Sequence, residues 1–251
     1  TAARASSWAA CSPASVRFSV SCCMAASCLT LSSSAVNSVH CLLPFPSSAF
    51  QEEVGDETET GVRLNFPEFS LMGVPGDPID PTPVNRFDGF APTVQILTYL
   101  ENVDLALSGA SRLLPEGIAQ SPPYIDSRTH DDTSLMADSP SILMDADTGE
   151  RVLHWLELDG TTEALADPSR KVLFMRPALS LKPGHRYIAA FREMLDAEDE
   201  LIPADDVFAA LRDGLPTTIP GVEARRADLE EVFDRLESEG VERHVRLWGH
   251  E

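Results

Sequence analysis

Ser111 is the serine whose surroundings come closest to those of a hydrolytic nucleophile, in the pentapeptide Gly109-Ala110-Ser111-Arg112-Leu113. Hydrolases of the α/β type place this serine in a G-x-S-x-G motif, because it must occupy a sharp turn between a strand and a helix. The pentapeptide lacks the second glycine and follows no convincing strand. We interpret Ser111 as a loop serine and predict no catalytic residue in this chain.

Two short clusters combine side chains that could bind a metal ion. His130-Asp131-Asp132 could join a metal or calcium site, and a metal-assisted hydrolase using His130 and Asp131 is the weakest of our functional hypotheses. Asp145-Ala146-Asp147-Thr148-Gly149 opens like a calcium loop but lacks the third ligand, the glycine at position six and the glutamate at position twelve. We interpret the first cluster as a solvated loop and the second as a hairpin turn. No metal site is predicted.

The sequence contains no motif that is typical of a cofactor-binding site. The sequence contains no H-E-x-x-H, no P-loop and no glycine-rich dinucleotide fingerprint, so no cofactor is predicted. His154 and His185 lie in strand-like runs, where a histidine usually has a structural role. Trp155, Phe174 and Tyr187 are expected to build core rather than a cage around a ligand.

Charge excludes some partners. The chain has 40 acidic and 19 basic residues among 251, a formal net charge of −21. Nucleic acid and anionic membranes reward clusters of lysine and arginine, so neither is predicted as the main partner. Such acidity favours solubility and suits saline or extracellular surroundings.

The first 40 residues differ in composition from the rest. They contain no acidic residue, and all five cysteines of the chain precede residue 42. The chain after Cys41 therefore has no disulfide or cysteine-zinc site of its own, while a pairing such as Cys28–Cys41 remains open. Val16–Leu31 resembles the apolar region of an export signal but is too short and polar for a confident membrane span. An export signal, a disordered tail and a translation artefact remain alternatives for 1–40. The first residue, Thr1, and the abrupt end at Glu251 suggest a fragment.

Strand-like segments dominate the body. Pro44 and Pro46 alternate with large apolar residues, which predicts an extended segment docked on a core. The long excursion from Pro67 to Pro92 is irregular, because proline and glycine recur through it. Further strand patterns, joined by turn signals, are Gly61–Phe66, Thr93–Leu100, Ser141–Met144, Arg151–Leu158, Lys171–Met175 and His185–Leu195. Asp145–Glu150 predicts a hairpin between two of them, and Lys182–Gly184 a second turn.

Helical spacing begins after Pro203. Asp205–Asp213 precedes Gly214, a residue suited to end a helix. Glu223–Glu239 carries apolar residues three and four positions apart, and Glu231 is placed to pair with Arg235. We therefore expect a tail at 1–40, an antiparallel β-sandwich domain at 41–203 and a helical segment at 204–251 that leads toward a further domain.

Five segments of the chain share features with a known family: Leu43–Pro46, Pro78–Thr82, Asn85–Phe90, Asp145–Val152 and Arg176–Tyr187. These segments together resemble the N-terminal domain of bacterial extracellular, virulence-factor-type lipases and related secreted proteins with Ig-like modules. The most specific is Arg176–Tyr187, with the pattern R-P-x-x-x-L-K-P-G-x-x-Y, which is also common in Ig-like modules and supports fold more than function. The resemblance covers about residues 41–240.

The resemblance implies a mainly β fold: an Ig-like antiparallel β-sandwich with peripheral helices and a C-terminal helical segment. In that family the hydrolase lies beyond the N-terminal domain, so no catalytic residue is transferred. We expect a noncatalytic accessory domain that is secreted or in the cell envelope, partnered by a downstream hydrolase domain of the same polypeptide. The alternative is a freestanding adhesion or carbohydrate-binding module that uses Trp155 or the Pro67–Pro92 excursion. Nucleic-acid binding and a stable membrane span are not expected.

Overall fold

A computed structural model describes residues 43–68, 70–71, 79–112, 132–161, 171–217 and 219–243, and the backbone of 17–21. The strands are β1 (Arg17–Ser21), β2 (Gln51–Glu53), β3 (Val62–Leu64), β4 (Ile96–Thr98), β5 (Ser141–Asp145), β6 (His154–Leu158), β7 (Leu173–Pro177) and β8 (Arg186–Phe191). The helices are α1 (Asp206–Arg212), α2 (Pro220–Glu223) and α3 (Arg226–Ser238).

The described strands form two three-stranded sheets and one two-stranded sheet. Their orders are β1-β8-β5, β4-β7-β6 and β2-β3. Every pairing is antiparallel except that of β1 with β8, which is parallel. The prediction of a mainly β fold with few helices is confirmed.

The turn at Asp145–Glu150 reverses the chain, but the predicted hairpin is wrong beyond it. The Asp145 N–H donates to the Glu150 carbonyl at 3.0 Å, and the Val152 N–H donates to the Leu143 carbonyl at 2.8 Å. After these bonds the chain leaves β5, and β6 pairs with β7 in the other sheet. The strands on either side of Lys182–Gly184 likewise lie in different sheets. Turn residues determine where a chain reverses, not which sheet receives the next strand.

The β1-β8-β5 sheet is buried on both faces. Leu143, Tyr187 and Ala189 share one hydrophobic cluster with residues of the β4-β7-β6 sheet. On the opposite face, Ile142 and Ile188 belong to a cluster that includes residues of α3. Because both faces of β5 meet apolar partners, its sequence is a continuous apolar run rather than an alternating one.

The segment around Phe45 docks on this core, as its prolines predict. Phe45 and Leu97 exchange backbone hydrogen bonds at 2.9 and 2.6 Å, which adds a bridge beside β4. The Phe45 ring lies edge-on to Phe90 with centroids 5.5 Å apart, and Phe50 stacks on Phe66 at 5.1 Å. These four rings join the Pro67–Pro92 excursion to the sheets.

The helices confirm the apolar spacing but not the expected ion pair. Asp205 caps α1 by accepting from the Val207 N–H at 3.0 Å. Arg235 pairs with Glu239 at 3.1 Å, whereas Glu231 pairs with Arg186 of β8 at 3.0 Å. The predicted Glu231–Arg235 pair is therefore wrong, because a strand cation competes for the glutamate. Within the described part of the chain, no helix is both long and apolar enough to cross a bilayer.

Two strands lie where composition predicts none. The polar, acidic run that begins at Gln51 forms β2, which pairs with β3. The composition of 1–40 predicts no contribution to the fold, whereas Arg17–Ser21 forms β1 along β8. Edge strands need little apolar content of their own, so hydrophobic pattern alone does not reveal them.

Candidate functional site

Ser141 and His154 form the described pair that most resembles a nucleophile and its base. The Ser141 Oγ lies 2.9 Å from His154 Nε2. The other ring nitrogen, Nδ1, lies 2.8 Å from the Val152 carbonyl oxygen. A carbonyl can only accept, so Nδ1 carries the proton in the neutral ring and Nε2 accepts from the serine hydroxyl. This is the arrangement by which a histidine activates a serine.

Burial removes this pair from contact with any substrate. His154 is 1% exposed and Ser141 is fully buried. Burial lowers the pKa of His154 to about 4; the bond to the Val152 carbonyl opposes this shift, and Arg151 reinforces it. His154 also donates its backbone N–H to Ser134 Oγ at 3.2 Å. The ring is thus a neutral core group with both nitrogens satisfied, as expected for a structural histidine.

A second polar group surrounds the buried carboxylate of Asp145. Its Oδ1 accepts from the backbone N–H of Asp147 at 3.1 Å and of Thr148 at 3.3 Å. Its Oδ2 lies 2.9 Å from His185 Nδ1 and 3.5 Å from Lys182 Nζ. Asp145 therefore joins the turn after β5 to the turn before β8.

Electrostatics favour the ionised form of Asp145. Burial alone would raise the pKa of its carboxyl, but His185 and the backbone N–H groups of Asp147 and Thr148 hold the pKa below the ordinary value. A carboxylate that accepts several hydrogen bonds behaves in this way. The charge is thereby compensated inside the protein.

Asp145, Asp147 and His185 also satisfy a geometric condition for binding a cation. Each offers one ligand atom, and these atoms lie within 4.8 Å of one another. Asp147 Oδ2 already accepts from the Arg186 N–H at 2.9 Å, and the Asp145 oxygens have the partners given above. The same contacts are those expected of a turn fixed by its own hydrogen bonds, which was the interpretation of Asp145–Gly149 from sequence.

Of the remaining candidates, the structure describes Ser111 and the backbone of Asp132. Ser111 is buried, and its carbonyl accepts from the Leu156 N–H at 2.8 Å, which adds a parallel bridge beside β6. His130 and Asp131 lie outside the described residues. Asp132 begins a 3₁₀ helix. The structure therefore places Ser111 beside β6, at the edge of the β4-β7-β6 sheet.

The structure describes all three aromatic residues that were expected in the core. Trp155 is 7% exposed and donates its Nε1 proton to Glu157 Oε1 at 3.1 Å. Tyr187 is buried, and its hydroxyl accepts from the Lys182 N–H at 2.7 Å. Phe174 is partly buried, with the Arg176 guanidinium 5.1 Å from its ring centre. A buried Trp155 has no face to offer a sugar ring.

An apolar pocket of about 450 Å³ opens where the Pro67–Pro92 excursion meets the core. Its walls are Phe45, Leu64, Phe66, Leu71, Val84, Phe87, Gly89, Phe90, Ala91 and Val94. Phe87 is 45% exposed, which is unusual for a phenylalanine. Sequence reasoning missed this pocket, although phenylalanines recurring in a segment dense in proline and glycine were a signal for it.

Comparisons with known proteins give no relative from which to transfer a role. No protein-family model matches the chain. Neither the curated proteins nor the solved structures contain a match. The functional assignment therefore depends on the residues and geometry described above.

Proposed function

We propose that this chain is a noncatalytic accessory domain of a larger secreted protein whose chemistry, ester hydrolysis by a lipase-like α/β-hydrolase, is carried by another part of the polypeptide. The observation that carries the proposal is the use made of the reactive side chains. Ser141 and His154 are paired inside the core, and Asp145 and His185 hold two turns together. Groups used in this way stabilise a scaffold and leave the chemistry to another part of the protein.

An Ig-like sandwich is the architecture that best fits the strand order. Strands β5 and β8 pair in one sheet while β6 and β7, which lie between them in sequence, pair in the other. Tyr187, at the start of β8, accepts a hydrogen bond from the backbone of Lys182, five residues upstream. A tyrosine bonded to upstream backbone at a strand corner is a hallmark of Ig-like domains.

The link to lipases depends on the segments that resemble that family. Arg176–Tyr187, the most specific of them, contains both Lys182 and Tyr187 of the corner. The turn of Asp145–Val152, another of them, is joined to it through the contact between Asp145 and His185. The two segments therefore have a common structural role, which supports descent from the same type of domain.

The test uses the protein encoded by the complete gene, assayed with a short-chain p-nitrophenyl ester. We expect an α/β-hydrolase region outside these 251 residues, with activity lost when the serine of its G-x-S-x-G motif becomes alanine. Ser111→Ala and Ser141→Ala in this chain should leave kcat unchanged. A gene without such a region, or a loss of kcat in Ser141→Ala with an unchanged circular dichroism spectrum, would refute the proposal.

A binding module is the second candidate, and the apolar pocket favours it. The pocket lies in the Pro67–Pro92 excursion, one of the two contact regions that the sequence suggested. Its volume lies within the range of small-molecule sites, but the described residues that line it include no polar side chain to orient a sugar. An apolar ligand or the apolar side chain of a partner therefore fits better than a carbohydrate.

Probe binding separates the two candidates. Phe87→Ser should weaken binding of an apolar fluorescent probe at least threefold, because it removes an exposed part of the pocket wall. Leu179→Ser is the matched control, since Leu179 is 71% exposed and lies outside the pocket. Equal probe binding by both variants and the unmodified chain would remove the binding candidate.

A further inference from the structure

A second cavity, of about 220 Å³, lies between the β1-β8-β5 sheet and the helices α1 and α3. Much of its lining is apolar. Ile142 of β5 is fully buried, and Phe233 and Leu236 of α3 are 4% and 5% exposed. The Phe208 ring of α1 lies 5.9 Å from that of Phe233, so the two helices share one wall of the cavity. An alkyl chain fits such a lining.

Three guanidinium groups line the same cavity, those of Arg192, Arg212 and Arg243. Arg243 pairs with Glu230 at 2.7 Å, and Arg212 pairs with its neighbour Asp213 at 2.7 Å. Arg192 has no carboxylate partner among the residues that the structure describes. It is therefore the lining cation whose charge is left without a counter-charge.

The hydrogen bonds of Arg192 leave part of its guanidinium available. Its Nε donates to the Ser139 carbonyl at 3.0 Å, and its Nη2 donates to the Ala137 carbonyl. Both acceptors are uncharged, so these bonds orient the group without neutralising it. A guanidinium has five N–H donors, and three remain after these two bonds. A carboxylate can accept two such donors side by side, which is the geometry that arginine favours.

The charges around Arg192 also favour an anion. Burial is the main cause that lowers the pKa of Arg151, and the charge of Arg192 lowers that pKa further. Nη1 of Arg151 is buried and has no acceptor in the described part of the chain. Glu239 opposes the shift, but this carboxylate already pairs with Arg235 at 3.1 Å. An anion on Arg192 would reduce the repulsion between two guanidinium groups that lack carboxylate partners.

Two carboxylates line the cavity as well, those of Glu193 and Glu242. Both residues are exposed, so water and salt screen their charges. The partly buried Arg192 is screened less. The cavity therefore combines an apolar lining with one uncompensated positive charge.

We propose that this cavity binds a short-chain alkyl carboxylate, with the chain against Ile142 and Phe233 and the carboxylate on Arg192. The apolar lining accommodates the chain, and the guanidinium fixes the charged end. The volume lies below the about 300 Å³ at which sites for drug-sized ligands begin, so the chain is short. This binding site goes beyond the proposed accessory role and does not depend on it.

The test is calorimetric titration of the full chain with sodium hexanoate at pH 7.5. We expect saturable binding with a Kd of about 1 mM, which suits a ligand of so few atoms. Hexanol, which has the same chain length and no charge, should bind about tenfold more weakly. Arg192→Gln should weaken hexanoate binding about tenfold for the same reason. Arg86→Gln is the matched control, because Arg86 is exposed and lies outside the cavity, and its affinity should equal that of the unmodified chain.

A second variant tests the apolar half of the site and leaves the guanidinium in place. Ala209 lines the cavity from α1, so Ala209→Leu should occupy part of the space and weaken hexanoate binding roughly fivefold or more. Leucine is a good helix former, so α1 should remain intact. This variant and the hexanol titration decide the question if Arg192→Gln does not fold.

Four results would overturn the proposal. The first is the absence of saturable hexanoate binding below about 10 mM. The second is equal affinity for hexanoate and hexanol. The third is a folded Arg192→Gln variant that binds hexanoate as tightly as Arg86→Gln, and the fourth is an Ala209→Leu variant with unchanged affinity.

Discussion

Acidification should destabilise this protein through His154. In the folded state burial holds the ring neutral, with a pKa of about 4, whereas in the unfolded chain the pKa returns to the ordinary 6.5. Between these values the unfolded state binds a proton that the folded state does not. The stability that His154 contributes is therefore complete above pH 6.5 and is lost as the pH falls to about 4.

The magnitude follows from the difference between the two pKa values of His154. One pKa unit corresponds to ~1.4 kcal/mol, so the whole loss is about 3 kcal/mol. At pH 5 the loss should already be about 2 kcal/mol, a large part of a stability of roughly 5 to 15 kcal/mol.

Urea unfolding at pH 7.5, 6.5, 5.5 and 5.0 measures this loss. Replacing His154 by asparagine removes the titrating group, so the stability gap between the unmodified chain and His154→Asn should shrink by about 2 kcal/mol from pH 7.5 to pH 5. Leu173→Ala is the control, because it opens a cavity in the core without removing a titratable group or a partner of His154. The difference in free energy of unfolding between this control and the unmodified chain should stay constant from pH 7.5 to pH 5. A His154→Asn gap that does not change with pH would refute the assignment of His154 as a buried neutral group.

Four further substitutions test the packing and the turns, each measured by urea unfolding at pH 7.5. Tyr187→Phe should lower the free energy of unfolding by about 1 to 2 kcal/mol, because the Lys182 N–H loses its acceptor. An unchanged free energy of unfolding would contradict a stabilising role for the tyrosine corner. Asp145→Ala should cost roughly 2 to 3 kcal/mol through the loss of several acceptor contacts at once, and a neutral effect would show that the two turns are independent. Leu156→Ala should lower the free energy of unfolding by about 2 to 5 kcal/mol. Leu179→Ala should change it by no more than ~0.5 kcal/mol. Similar losses in the two variants would contradict the assignment of Leu156 to the core.

The sequence could reveal those parts of the fold that depend on neighbouring residues. Asp205 and Gly214 mark the ends of a helix by local capping, and both ends lie where their types indicate. The turn at Asp145–Gly149 follows from carboxylate and glycine chemistry in five consecutive residues. Such features need no knowledge of the rest of the chain.

Other features depend on residues distant in sequence. The exchange of strands between sheets after Asp145 and after Pro177 depends on which apolar faces meet, and turn residues carry no information about that. Glu231 bonds to Arg186, 45 positions away, instead of to its helical neighbour Arg235. β1 is formed by a segment whose composition gave no reason to expect a strand.

The candidate site likewise has some features that the sequence could predict and others that it could not. The structural role of His154 was predictable, because a histidine inside an apolar run is usually satisfied internally. Its partner Ser141 was not, since the two residues lie on strands of different sheets. The pocket beside Phe87 likewise requires walls from several distant segments, which spacing alone does not bring together.

Hydrolysis by the 251-residue chain alone tests the central claim most directly. The purified chain and its Ser141→Ala variant are incubated with p-nitrophenyl butyrate at pH 7.5, and release of nitrophenol is compared with a buffer blank. A noncatalytic accessory domain predicts that both proteins match the blank. Turnover above the blank that disappears in Ser141→Ala, with the fold of the variant intact, would show that the buried pair is a catalytic centre and contradict the account.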